Sequence, residues 1–175
     1  MGRYLHDRNG TLDVIKSMID LSIFKDATVL DIGCNEGFFS RFAADNGAKK
    51  VVGLEPKKDR FSWAVKKCEE YKNIEVFNEA YYSYLKHDGR LKQFDVVFCL
   101  NITHHVGGAK ERLDFARHVV NKTCKRWAIF EVVEGDLGRM MRIFMDWKIK
   151  KTPYRPGPGA GLYAQRYALV KDVLS

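Results

Sequence analysis

Thr28-Val-Leu-Asp-Ile-Gly-Cys-Asn-Glu-Gly-Phe-Phe-Ser40 decides the reading of this chain. A short β-branched run, Thr28 to Ile32, ends at Gly33, and a helical stretch from Phe38 to Asn46 follows and is closed by Gly47. That order is strand, turn, helix. Gly33 and Gly37 allow backbone conformations and close approaches that a Cβ would block, and Asn35 between them tolerates the left-handed region better than most residues.

The alternation continues downstream. Val51 to Glu55 reads as a second strand, Asp59 to Tyr71 as a helix with Phe61, Ala64, Val65 and Cys68 on one face, and Ile74 to Phe77 as a third strand. Tyr82 to Leu91 is a weak helix, Phe94 to Leu100 a strand, Ala109 to Asn121 a helix and Trp127 to Val133 a strand. These strands are nearly continuously apolar and their connections are long enough for helical crossovers. The fold expected is therefore α/β: a doubly wound, mostly parallel sheet covered on both faces. Thr11 to Ile23 reads as an amphipathic helix that covers an edge or lids the pocket. Leu137 to Lys151 reads as one more helix with Met140, Phe144 and Trp147 inward, and Pro153 to Ser175 opens on a Gly/Pro-rich run and reads as a loop. One domain over 1–175 is expected, with its core at 27–152 and a tail at 153–175. That tail leaves little room for a closing hairpin, so the sheet ends early, or Leu162 to Val173 forms a reduced edge, or the chain is a piece of a longer protein.

The 175 residues carry 30 Lys+Arg against 22 Asp+Glu, a formal charge of +8, which favours anionic partners. Four scattered cysteines with no CxxC pair suit reduced thiols and a cytoplasmic protein, and the start MGRYLHDRNG has no apolar stretch for export or anchoring to a membrane.

In open α/β sheets the ligand lies beyond the carboxyl ends of the strands where strand order reverses, so the loop after the first strand is the place to look. Its glycines are spaced G-x-x-x-G, unlike the G-x-G-x-x-G of dinucleotide sites, and Asp31 and Glu36 would repel a pyrophosphate. They suit a ligand with an ammonium group and a cationic sulfur. Glu55, at the end of the second strand, can accept both hydroxyls of an unphosphorylated ribose, and Asn78-Glu79 after the third strand stands where a side chain reaches an adenine edge. Asp31, Gly33, Gly37, Glu55 and Glu79 together describe a pocket for S-adenosyl-L-methionine.

From Thr28 to Val133 the sequence resembles the class I S-adenosylmethionine-dependent methyltransferases, with their Rossmann-like fold. The resemblance is strongest in Val29 to Ser40, in Val52-Gly-Leu-Glu55 and in Phe94-Asp-Val-Val-Phe-Cys-Leu-Asn101. It implies that Gly33 and its loop (Cys34, Asn35, Glu36, Gly37) contact the methionine part, Glu55 the ribose, and Asn78 or Glu79 the adenine. Asn101 completes the cofactor set, and S-adenosyl-L-homocysteine is the implied product. The family often has glycine where Asn35 stands.

Leu100-Asn-Ile-Thr-His-His105 carries the fourth strand toward the methyl acceptor, and His104 or His105 is the candidate catalytic base. A polar pair at this point also serves to cap a helix or bond a loop. Base-amine methyltransferases resemble Asn/Asp-Pro-Pro-Tyr/Phe here, and Asn101-Ile-Thr-His departs from that. The acceptor expected is an anionic or polar small molecule or glycan, methylated on O or N. RNA is the alternative, bound through a basic C-terminal helix (Arg139, Arg142, Lys148, Lys150, Lys151, Arg155) with Tyr154, Tyr163 and Tyr167 nearby. A non-catalytic S-adenosylmethionine-binding module is the third reading. Glu131 and Glu134 end the fifth strand without a convincing metal set.

Overall fold

The computed structural model describes residues 5–100, 102–143, 146–152 and 166–173. Helix α1 (Leu5–Lys16) and a 3-10 turn (Leu21–Phe24) precede β1 (Thr28–Ile32), α2 (Phe38–Asp45), β2 (Lys50–Leu54), α3 (Lys58–Cys68) and β3 (Ile74–Phe77). Then come α4 (Tyr81–Leu85), β4 (Phe94–Leu100), a short turn (Thr103–His105), α5 (Ala109–His118), β5 (Cys124–Val133), α6 (Glu134–Ile143), β6 (Lys148–Lys151) and β7 (Arg166–Asp172).

The strands form one seven-stranded sheet in the order β3-β2-β1-β4-β5-β7-β6. Strands β1 to β5 are parallel, and β7 runs antiparallel to both β5 and β6. Strand order reverses between β1 and β4, so the loops after these two strands flank the crevice where such sheets take their ligand.

The continuous apolar runs arise because both faces of the sheet are covered. Leu30, Ile32, Val52, Leu54, Val97 and Cys99 join one core with Tyr84, Phe115 and Met140 from α4, α5 and α6. Their neighbours Val29, Val51, Val96 and Phe98 join the opposite core with Ile15 of α1 and with Phe42 and Ala43 of α2. Phe24, from the 3-10 turn, stacks on Phe98 at 5.7 Å and meets Phe42 edge-on at 5.4 Å, so the segment before β1 is packed into the second core.

Four expectations change. The weak helix expected over Tyr82 to Leu91 is the short α4, which ends at Leu85. The helix expected over Leu137 to Lys151 ends at Ile143, Asp146 takes a left-handed φ of 72°, and Lys148–Lys151 is an edge strand. Met140 and Trp147 are inward as expected, Trp147 edge-on to Phe130 at 5.6 Å, whereas Phe144 lies outside the described residues. The tail is not all loop: Arg166–Asp172 is inserted between β5 and β6, with Ala168, Leu169 and Val170 fully buried, within the stretch offered as a reduced edge. The amphipathic run Thr11 to Ile23 is divided, because Asp20 accepts the Ser22 N–H at 2.9 Å and caps a separate turn.

Candidate functional site

The loop between β1 and α2 is shaped by its three left-handed residues, Gly33 (φ 73°), Asn35 (φ 55°) and Gly37 (φ 73°). Space matters as well as dihedral angle. A Cβ on Gly33 would collide with Ile102 Cγ2, and one on Gly37 would lie 2.6 Å from Cys68 Sγ. The turn after β4 therefore presses directly on the loop after β1.

The loop spends its backbone donors internally. Gly33 and Cys34 N–H both donate to the Leu54 carbonyl (2.8 and 3.0 Å), Gly37 N–H donates to the Cys34 carbonyl (2.9 Å), and Asn35 N–H donates to Glu55 Oε2 (3.0 Å). Glycine-rich loops that hold phosphate present such N–H groups outward. Here they are turned into the protein, and two buried carboxylates stand beside them.

Asp31 is 3% exposed and accepts the Ser40 hydroxyl at 2.7 Å, which ties the end of β1 to the first turn of α2. Glu55 is 4% exposed; its Oε1 accepts the Lys57 N–H at 2.9 Å while Oε2 holds Asn35. A carboxylate has about four lone-pair positions, so Glu55 keeps acceptor capacity for a ligand while bracing two loops. Two buried carboxylates, with four loop N–H groups already spent inside the protein, suit a cationic nucleoside such as S-adenosylmethionine better than a pyrophosphate.

The remaining candidates fall in two groups. Cys34 is buried under the loop, and burial, then the negative charges of Asp31 and Glu55, push its thiol far above the ordinary value. Glu36 is turned away to an ion pair with Lys67. Asn78 uses its amide to hold the carbonyls of Glu55 and Pro56 (2.9 and 3.1 Å), and so positions Glu55 from behind. Glu79 is gripped by Arg90 through both oxygens (3.0 and 2.9 Å), with His87 at 3.3 Å, and the Arg90 guanidinium stacks over Phe77 at 4.5 Å. Asn101 lies outside the described residues.

The turn Thr103–His105 carries both candidate histidines to the carboxyl edge; the side chain of His104 lies outside the described residues. His105 is held below the ordinary histidine pKa, first by partial desolvation and then by Lys57, Arg60 and Arg166, with Glu55 opposing them. Its ring is thus within electrostatic reach of the Glu55 loop. Neutral imidazole is the proton-accepting form.

Sequence reasoning missed Lys57, Arg60 and Arg166. The first two had a local signal: Lys57 and Arg60 stand at the start of α3, where the helix dipole disfavours cations. Arg166 had none, because it reaches the edge only by pairing with Val133 in the antiparallel β5–β7 ladder. The basic C-terminal helix is also redrawn. Arg139 and Arg142 are on α6, Lys148, Lys150 and Lys151 are on β6, and Arg155, Tyr154 and Tyr163 lie outside the described residues. Arg139 sits on Asp136 at 3.4 Å and Lys150 donates to Ser17 Oγ at 2.9 Å. Among the described residues no group of three or more His, Cys, Asp or Glu is placed to hold a metal ion, and no helix is long and apolar enough to cross a membrane. Cys34, Cys68, Cys99 and Cys124 are all buried free thiols.

Comparison with known proteins identifies the family and the fold. The tRNA U34 carboxymethyltransferase of Helicobacter pylori (strain G27) is 29% identical over 111 residues, which cover 62% of this chain and 41% of that protein. The chain spans about two fifths of the length of the curated relatives of this kind. Among solved structures, the magnesium protoporphyrin IX methyltransferase of Synechocystis PCC 6803 with bound S-adenosylmethionine superposes with a TM-score of 0.66 at 19% identity, over 98% of this chain and 86% of that one. The N-methyltransferase NodS of Bradyrhizobium japonicum WM9 gives a TM-score of 0.70 at 12% identity, over 96% and 98%. Residues 29–123, more than half the chain, match the methyltransferase domain family, so this chain belongs to the class I S-adenosylmethionine-dependent methyltransferases.

Proposed function

We propose that this chain transfers the methyl group of S-adenosylmethionine to an oxygen or nitrogen of an acceptor held at the carboxyl end of β4, with His105 receiving the acceptor proton. The observation that carries this reading is the placement of His105. Its ring feels Glu55, the ribose-side carboxylate, together with Lys57 and Arg60 on that same side and Arg166 across the edge, so it stands at the mouth of the crevice.

When bound, the cofactor supplies a methyl carbon activated by a positively charged sulfur. The chain's own residues do the rest. Asp31 and Glu55 hold the donor by charge and hydrogen bonding, the loop closed by Gly33 and Ile102 fixes its depth, and His105 takes a proton that an alcohol or ammonium acceptor must lose. Displacement at a sulfonium is mainly a matter of alignment, with a base needed for weakly acidic acceptors.

Two acceptor classes follow from the sequence: a small molecule or glycan, and RNA. The tRNA-modifying relatives and the basic rim around His105 support RNA, whereas the small-molecule enzymes among the structural neighbours share the fold alone. The test is turnover of methyl-labelled cofactor with RNA, glycan and small-metabolite fractions, using wild type, His104→Gln and His105→Gln. Loss of about 10²–10⁴ in rate for His105→Gln with cofactor affinity unchanged is expected. Label transfer to no fraction, with cofactor still bound, would make the chain a binding module.

A further inference from the structure

The carboxyl edge of the sheet gathers several cations. Lys57 caps α3 and Arg60 lies in its first turn, where the helix dipole opposes both, and neither takes part in the ion pairs found among the described residues. His105 ends the turn after β4, and Arg166 starts β7 opposite Val133, the last residue of β5, where its guanidinium lies 4.0 Å from the buried Glu131 carboxylate. Strand order places the ends of β2, β1, β4, β5 and β7 side by side. With strands about 4.8 Å apart, four intervals make a rim of about 19 Å from Lys57 to Arg166.

A second feature adjoins this rim. Arg60, Trp63 and Lys67 recur at i, i+3 and i+7 and so share one face of α3. The Trp63 indole is 55% exposed, the most exposed large apolar side chain among the described residues, and the Lys67 ammonium lies 5.9 Å from its ring centroid. The indole belongs to neither core, and Lys67 beside it is held by Glu36. Its ring offers a stacking face on the same side of α3 as Arg60.

We infer that this rim, Lys57, Arg60 and Arg166 with Trp63 at its flank, binds single-stranded RNA, tracking its phosphates across the carboxyl edge and presenting the acceptor nucleotide at His105. The length of the rim spans several nucleotides, more than one phosphate group needs. RNA is favoured over DNA because it alone brings a hydroxyl on every sugar, the kind of weakly acidic acceptor that requires a base. The inference rests on the methyl-transfer reading above.

The test measures fluorescence anisotropy of a labelled twelve-nucleotide single-stranded RNA against the full chain, as a function of salt. DNA of the same sequence and glucose 6-phosphate serve as competitors, and calorimetry with S-adenosylmethionine is run in parallel. Affinity for RNA should fall steeply with salt, Arg60→Gln should flatten the slope of log K on log salt by about one, and Trp63→Ala should weaken binding about five-fold or more at every salt. Trp63→Ala should leave S-adenosylmethionine affinity unchanged. RNA binding that neither variant alters, or competition by DNA or glucose 6-phosphate as effective as by RNA, would overturn the assignment. Failure of the wild type to bind S-adenosylmethionine would instead overturn the methyl-transfer reading, and the two failures are separable.

Discussion

Replacing Glu55 by alanine removes the oxygens that hold the N–H groups of Asn35 and Lys57 and, with them, the proposed acceptor for ribose hydroxyls. S-adenosylmethionine affinity by calorimetry should drop by about 1–3 kcal/mol, with Glu55→Gln in between because it keeps one oxygen. Unchanged affinity in Glu55→Ala would remove the ribose assignment. Gly33→Ala forces a side chain into φ 73° and against Ile102. The left-handed backbone alone costs about 1–2 kcal/mol, and Ile102→Ala in the same chain should recover only the part due to collision, as urea unfolding will show. His105 supplies a sign as well as a size. Its pKa lies below the ordinary value because of partial desolvation and then Lys57, Arg60 and Arg166, so the acid limb of the rate profile should lie below that of an ordinary histidine. Arg60→Gln removes one opposing cation and should move the limb to higher pH. A limb that stays in place would assign the titration to another group. At this scale, Asp31, Gly33 and Glu55 were readable because each stands at a strand end inside a contiguous motif, whereas Arg166 arrives through a pairing with Val133 that no local pattern encodes.

Between elements, β1 and β4 are joined at their amino ends by a reciprocal pair. Thr28 donates through its N–H and hydroxyl to Asp95 Oδ2 (2.8 and 2.7 Å), and Asp95 N–H returns a bond to Thr28 Oγ1 at 3.1 Å. Burial raises the Asp95 pKa, but the Thr28 bonds and Lys125 outweigh it and hold the carboxyl below its ordinary value. The contribution is therefore fully present above the ordinary aspartate pKa and is lost as pH falls through the folded value. Thr28→Val should cost about 1–2 kcal/mol at neutral pH, and less in acid, by urea titration at both. A cost that does not vary with pH would leave Asp95 out of the linkage. Strands β1, β3 and β4 coincide with the sequence expectation because uninterrupted apolar runs bounded by turn residues admit few other readings. Strand β6 was unreadable. In Lys-Ile-Lys-Lys only Ile149 faces a core, and it is a strand because Leu169 lies opposite, on a partner that follows a long connection.

For the molecule as a whole, ligand choice follows from the direction of its loop donors. With the N–H groups of Gly33, Cys34, Asn35 and Gly37 turned inward, and Asp31 and Glu55 buried beside them, a pyrophosphate loses four loop donors and faces two carboxylates. In a thermal-shift comparison S-adenosylmethionine should raise Tm more than NAD, and NADP should give no shift. A larger shift with either dinucleotide would contradict the cationic-ligand reading.

Four thiols buried at different depths make the molecule its own clock of opening. Cys34 lies under the glycine loop and Cys68 against Gly37, whereas Cys99, next to last in β4, is fully buried and Cys124 sits at the amino end of β5. Pulsed alkylation should modify Cys34 and Cys68 by local opening and Cys99 only on global unfolding. A ligand seated on the loop should slow the first two and bring their rates toward that of Cys99, while Cys124, remote from the loop, keeps its own, which reports occupancy without any turnover.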